Sequence, residues 1–409
     1  MLVHLQDPNA TIIDVRPIAA FNGWKLQDEL RGGHIPGAIP FPLSWLEPLS
    51  GDEQRSLFTA KGITADKKVI LYGYGREDCE TMVRVLQGQG FQEVTTYEAG
   101  LAQWAADPSL PLERLSNYRS LVHAAWLHQL LSGRQPEAGP EGEWLLFEVA
   151  WQGRQVYESD HIPGAHYLET TALENEPLWN RVDDATLEKL LSSLGIQRDK
   201  MIILYARDPM AAARAALILM DAGVSDVRLL DGGYAAWTRA GYPVESGINP
   251  PRPAGSIGRV GRHPIPGQPR TIVDIDEVKA LLGDESNVLV SVRSWAEYTG
   301  QISGYPFIQA KGRIAGAVWG QAGSDPQHIE AYRNRDNTMR NYQEIASFWR
   351  GAGITPDKRV IFSCGTGWRA AEAFFYAYLM GWPRIAVYDG GWLEWSLSGS
   401  NPVEVGEPE

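Results

Sequence analysis

The sequence contains two cysteines, Cys79 and Cys364, in different surroundings. Cys364 follows a short apolar run, Val360-Ile361-Phe362, and opens the stretch Cys364-Gly365-Thr366-Gly367-Trp368-Arg369. An Ala-rich segment from Ala370 to Leu379 comes next, with strong helix formers and no proline. Small residues at 365 to 367 let successive backbone N–H groups curl around one centre, a nest for negative charge. The loop opens a helix, so the positive end of the helix dipole lies beside the sulfur. Arg369 adds a full positive charge. All three effects favour thiolate over thiol, and the thiolate is the nucleophile. They would hold a cysteine persulfide anion equally well. Cys79 falls inside a helical stretch and reads as a packing residue.

The elements that must position this loop occur three times along the chain. Asp199-Lys200, Asp231-Gly232-Gly233 and Trp237 recur 158 residues later as Asp357-Lys358, Asp389-Gly390-Gly391 and Trp395. Asp66-Lys67, Glu98-Ala99-Gly100 and Trp104 lie 133 residues before the middle set. An upstream hallmark recurs as well: Gly33-His34-Ile35-Pro36-Gly37-Ala38, Asp160-His161-Ile162-Pro163-Gly164-Ala165 and Gly312-Arg313-Ile314-Ala315-Gly316-Ala317. Strand candidates precede each, at 12–16, 145–149 and 288–293. Repeats this long are tandem domains rather than solenoid units. Within each copy, strand, helix and strand alternate, which predicts an α/β fold with a parallel sheet and helices on both faces. The expected division is 1–115, 116–247, a Pro/Gly-rich linker at 248–270 and 271–409. Leu131 to Glu143 reads as a loop inside the second domain.

The copies serve as controls for one another. The position after the central strand is Gly73 in the first, Ala206 in the second and Cys364 in the third. Only the third offers a nucleophile. His34 and His161 lie in the other two copies and read as structural hydrogen-bonding groups. Asp231 and Asp389 read as turn residues before Gly-Gly. Trp104, Trp237 and Trp395 share one repeat position and read as core. His328 lies in an insertion unique to the third copy, read as a solvated loop with a lid as the other option.

His-Ile-Pro-Gly-Ala, Asp-Gly-Gly-x-x-x-Trp and a Cys-led loop between them resemble the rhodanese domain. The loop 364–369 is similar to that of bacterial sulfurtransferases with three rhodanese domains, and the resemblance spans nearly the whole chain. It implies two inactive domains followed by a catalytic one. It also implies a two-step reaction: Cys364 takes the outer sulfur of thiosulfate, or the sulfur of 3-mercaptopyruvate, and passes it to cyanide, a thiol or a sulfur-carrier protein. Gly365, Thr366, Gly367, Trp368 and Arg369 would then line the persulfide site. Arg293 aligns with an arginine that reaches the donor's anionic end in two-domain rhodaneses. The second arginine of that pattern is absent, with Glu297 near its place, and Arg313 replaces the hallmark histidine. Both arginines could equally form salt bridges.

Two other functions remain as alternatives. Cys-dependent phosphatases and arsenate reductases share the fold but use Cys-x5-Arg. Here four residues separate Cys364 from Arg369, a tighter ring suited to one sulfur atom rather than a tetrahedral phosphate. A non-catalytic scaffold that binds partners is the third reading.

Composition narrows the rest. The chain has 409 residues, 44% hydrophobic and 21% charged, with a formal net charge of -13. Clustered Lys and Arg are what phosphate backbones require, so neither a nucleic-acid nor a membrane partner is expected. Two cysteines exclude a disulfide framework and a four-Cys zinc site. No metal or cofactor is expected, and a monomer is. The start lacks a basic region followed by an apolar one, which predicts a cytoplasmic location, or a periplasmic one if a leader has been removed. An anionic donor must approach an acidic protein, so Arg369, with Arg293 and Arg313, has to oppose the global field locally.

Overall fold

Apolar runs of about five residues are too short for helices and are rich in Val, Ile and Leu, so they pack as strands covered on both faces. The computed structural model describes residues 1–5, 7–47, 49–250, 255–258, 260 and 270–408. These residues form two compact units, Met1–Tyr118 and Arg119–Glu409. The first unit carries a four-stranded parallel sheet in the order Ile39–Pro40, Ala10–Asp14, Lys68–Tyr72, Val94–Thr96. Its core includes Ile13, Val69, Leu71, Met82 and Cys79.

The second unit holds two five-stranded parallel sheets of matching order. One runs Leu121–Val122, Asp226–Leu230, Met201–Tyr205, Trp144–Ala150, His166–Glu169. The other runs Ile272–Val273, Ile385–Tyr388, Arg359–Ser363, Asn287–Ser291, Val318–Trp319. The α/β class and the parallel sheets predicted from the alternating pattern are therefore observed in each copy. Ends moved by one or two residues: the strand expected at 360–362 spans Arg359–Ser363, and the helix expected from Ala370 starts at Trp368. The helices Pro209–Asp221 and Trp368–Leu379 pack on each other within this unit.

The three repeat-position tryptophans are buried, and each indole N–H finds a backbone oxygen: Trp104 donates to Pro111 at 2.9 Å, Trp237 to Pro243 at 2.8 Å and Trp395 to Pro402 at 3.0 Å. A full core tryptophan needs such a partner. The linker assigned to 248–270 falls largely on 251–254, 259 and 261–269, which lie outside the described residues. Among the described residues, no helix is long and apolar enough to cross a membrane.

Candidate active site

Cys364 leaves the end of the strand Arg359–Ser363 and is 1% exposed. The helix Trp368–Leu379 begins just beyond Gly367, whose φ is +96°. Between them the loop turns its N–H side inward. Gly367 donates its N–H to Cys364 Sγ at 3.1 Å. The carbonyl side is held elsewhere: Trp392 N–H donates to Cys364 O at 2.8 Å and Leu393 N–H to Gly365 O at 3.1 Å. Those donors belong to the short helix Gly391–Ser396, which follows the Asp-Gly-Gly hallmark. A Cβ at Gly391 (φ +55°) would stand 2.7 Å from Cys364 O. The second glycine of the hallmark thus lets one helix fix the loop of another.

Charges surround the sulfur unevenly. Arg369 is fully buried and gives both Nη atoms to Glu297, at 2.8 Å each. Burial alone would raise the Glu297 carboxyl, but the Arg369 guanidinium holds it below the usual range. Arg369 is thus engaged inward rather than free to meet an incoming anion. Arg293 is 2% exposed and, among the described residues, has no carboxylate hydrogen-bonded to it. It donates to Gly312 O at 2.5 Å and Ser291 Oγ at 3.3 Å, and lies over the Trp392 ring at 5.1 Å. Its Nη1 is buried with no hydrogen-bond partner among the described residues. Burial pulls its pKa down to about 10, with Glu297 and Cys364 opposing and Arg369 reinforcing that shift. Two buried cations and one carboxylate leave one positive charge, which a thiolate or persulfide would balance.

Arg313 turns to Glu404 (3.0 Å), Tyr298 O (3.3 Å) and Gly406 O (2.6 Å). The hallmark histidines show why. His34 Nδ1 meets Phe21 O at 2.8 Å and His161 Nδ1 meets Tyr157 O at 2.7 Å. Arg313 serves the same backbone position in its own copy, as the structural reading of those histidines implied.

The walls come from residues that the motif did not include. Tyr305 packs so closely on the loop that a Cβ at Gly365 would meet its ring at 2.6 Å. The Tyr305 hydroxyl donates to Pro326 O at 2.9 Å, and its ring stacks on Phe307. The insertion of the third copy therefore reaches the wall of the site. His328 itself is exposed beside Asp325, which raises its pKa. Trp368 donates its indole N–H to Glu174 Oε1 at 2.8 Å, a residue of the second copy. Asp389 reaches the second copy too, accepting from Arg181 N at 2.7 Å and pairing with Arg214 at 2.6 Å. Asp231 mirrors it by accepting from Met339 N at 2.8 Å. The hallmark aspartates thus join two domains as well as closing turns. No sequence signal marked Glu174 or Tyr305, because partners hundreds of residues apart, or in an insertion, leave no spacing to read.

Cys79 lies in the core of the first unit, and burial pushes its thiol up to about 11.

The rhodanese-like domain model matches residues 2–107, 124–240 and 274–398. The chain belongs to the rhodanese family. It is 42% identical over 406 residues to thiosulfate sulfurtransferase YnjE of Escherichia coli, covering 99% of this chain and 91% of that protein. A probable 3-mercaptopyruvate sulfurtransferase of Pseudomonas aeruginosa is 30% identical over 270 residues, covering 62% of this chain and 88% of that protein. Among solved structures, an anaerobic ergothioneine biosynthesis enzyme from Chlorobium limicola, in complex with trimethyl histidine, superposes with a TM-score of 0.93 at 40% identity. It covers 100% of this chain and 98% of that one. An EanB variant with a cysteine persulfide and ergothioneine gives 0.95 at 39%, again over 100% and 98%. This rhodanese-family chain is accordingly a sulfurtransferase of tandem domains, with persulfide cysteine chemistry in its near relatives.

Proposed function

We propose that this protein moves a sulfane sulfur from a small anionic donor, thiosulfate or 3-mercaptopyruvate, through a persulfide on Cys364 to a thiophilic acceptor such as cyanide, a thiol or a sulfur-carrier protein. The observation that carries this reading is the pairing of Cys364 Sγ with the Gly367 N–H at 3.1 Å inside a loop whose carbonyls are tied away from it. In the first step the Cys364 thiolate attacks the outer sulfur of thiosulfate. A Cys–S bond forms, the S–S bond of the donor breaks, and sulfite leaves with the electron pair. From 3-mercaptopyruvate the leaving group is the pyruvate enolate, which takes up a proton. In the second step the acceptor attacks the outer persulfide sulfur and the Cys364 thiolate departs, which is covalent catalysis with ping-pong kinetics. The N–H groups of 365 to 369 hold the anion in each state. The unpartnered Arg293 Nη1 takes the sulfonate or carboxylate end of the donor, Trp368 forms an apolar wall, and Arg313 contributes field rather than contact.

Incubation with thiosulfate should add about one sulfur, roughly 32 Da, to the Cys364 peptide and nothing to the Cys79 peptide. Full thiocyanate formation by Cys364→Ser would refute the assignment. The ratio of kcat/KM for thiosulfate and 3-mercaptopyruvate then decides the donor.

A second acceptor is favoured by one specific feature. EanB has been solved with substitutions at a tyrosine 59 residues ahead of its persulfide cysteine and at a threonine two residues after it. Tyr305 and Thr366 stand at those same distances from Cys364. At the positions of two further cysteines replaced in EanB, this chain has Ser291 and Ala322. On this reading the ring carbon of an imidazole betaine attacks the persulfide sulfur, the S–S bond breaks and the carbon loses its proton. Persulfidated protein mixed with hercynine would then yield ergothioneine stoichiometrically. Its absence, with thiocyanate still formed from cyanide, removes this acceptor and leaves the first reading intact.

A further inference from the structure

The second copy has no nucleophile, yet two of its buried side chains reach the loop that carries Cys364. Glu174 is 2% exposed and lies in the two-residue strand Glu174–Asn175, paired to Asn180–Arg181. It accepts the Trp368 indole N–H at 2.8 Å through Oε1 and the Arg214 Nε–H at 3.0 Å through Oε2. Arg214 comes from the helix Pro209–Asp221 and is fully buried. Its Nη1 pairs with Asp389 Oδ1 at 2.6 Å and its Nη2 donates to Trp179 O at 3.1 Å. A Cβ at Gly367 would fall 3.0 Å from that Nη1, so the guanidinium lies directly against the residue that donates to Cys364 Sγ.

We propose that Glu174 and Arg214 of the second copy are positioning residues for sulfur transfer, fixing Trp368 and Gly367 so that the persulfide loop is set before the donor arrives. This rests on the reading of Cys364 given above. A buried cation between two carboxylates is a poor source of stability, since packed apolar residues often serve as well or better. What such a network supplies is register: a fork with fixed directions, a carboxylate with one oxygen for each neighbour, and an indole that cannot rotate while its N–H is held. The Trp368 ring is thereby fixed as a wall, and Gly367 keeps its left-handed turn over the guanidinium. A misplacement of about 1 Å in such a site can cost on the order of 100-fold in rate.

The test is a double-variant cycle in the full chain with Glu174→Gln and Trp368→Phe. Two quantities are read: kcat and KM for the sulfur donor, and the rate of Cys364 alkylation by iodoacetamide, which needs no sulfur transfer. Each single variant is expected to lower kcat/KM about 10-fold, mainly through KM, and to change the alkylation rate. The double variant should be no worse than the poorer single one, because both break the same link. Arg214→Lys, which keeps the charge but loses the fork, should fall between wild type and Glu174→Gln. Folding is controlled by the thermal transition. If the two effects multiply, or if folded Glu174→Gln matches wild type in both readouts, the proposal is overturned. Should Cys364 fail to form a persulfide at all, coupling in the alkylation rates still decides the positioning role, while the sulfurtransferase reading falls separately.

Discussion

In the second copy the helix Pro209–Asp221 is capped by the chain's own carboxylate: Asp208 accepts the Met210 N–H at 3.1 Å. In the third copy the helix Trp368–Leu379 has no such cap, and Cys364 Sγ accepts the Gly367 N–H at the same 3.1 Å. Thr366 stands where the second copy has Asp208, 158 residues earlier. One copy fills its anion seat permanently, and the other leaves it to sulfur. The floor of the site differs in the same sense. Asp14 at the end of its strand and Glu148 two residues before the end of its own each accept from a tyrosine hydroxyl at 2.8 Å, Tyr72 and Tyr205 respectively. Ser291 and Ser363 occupy the matching pair in the third. Arg16 is consequently held by Asp14 at 2.9 and 2.7 Å, while Arg293 donates to a serine and a backbone carbonyl. Loss of the nucleophile is thus one of several changes. The copies without a cysteine at this position also pair a buried carboxylate with the nearby arginine, Asp14 with Arg16 and Glu148 with Arg207.

The largest test of this contrast is Thr366→Asp, which places the carboxylate of the second copy beside Cys364. It should depress persulfide formation by about 100-fold or more, read as sulfur added to the Cys364 peptide, because a negative charge would occupy the seat meant for sulfur. Unchanged persulfide yield would show that the seat is not where selectivity lies. A smaller effect is expected from Ser291→Asp, which restores the carboxylate of the first two copies next to Arg293. KM for an anionic donor should rise about 10-fold, equivalent to about 1.4 kcal/mol, with kcat less affected. An equal fall in kcat and kcat/KM, with KM unchanged, would point to damage of the loop instead.

The smallest effect concerns the hallmark aspartates. Asp389 meets Arg214, whereas Asp231 meets the Met339 N–H and faces Asp336. Burial, with Asp336 reinforcing it, pushes the Asp231 carboxyl up to about 8. Between the ordinary carboxylate range and pH 8 the folded state therefore holds a proton that the unfolded chain has released. Stability then falls as pH rises through that window. The thermal transition of the wild type should drop by a few degrees between pH 6 and pH 9. Asp231→Asn should flatten that slope. A slope unaltered by the substitution would assign it to other groups.

Much of the site was legible because its residues are contiguous. A loop that must present N–H groups to one atom uses neighbours in sequence, so 364–369 announce it. The repeat offsets expose the three copies because equivalent strands and turns keep their spacing. Arg313 was readable only in part: the sequence shows that it replaces a histidine, but its bond to Tyr298 O, where His34 meets Phe21 O and His161 meets Tyr157 O, becomes visible only in the fold. Arg369 shows the opposite limit. Its charge was evident, while its engagement by Glu297, 72 residues away, was not.

The sequence by itself determined the fold class, the repeated domains, the candidate nucleophile Cys364 and the helix that follows its loop, since each depends on local composition and short spacing. Only the tertiary structure decided which arginine beside Cys364 is engaged by a carboxylate, which tyrosine closes the wall, and that the second copy holds the third copy's tryptophan. Those choices depend on which side chains meet across a buried interface. There, an unmatched charge costs several kcal/mol, and no linear pattern records the partner that relieves it.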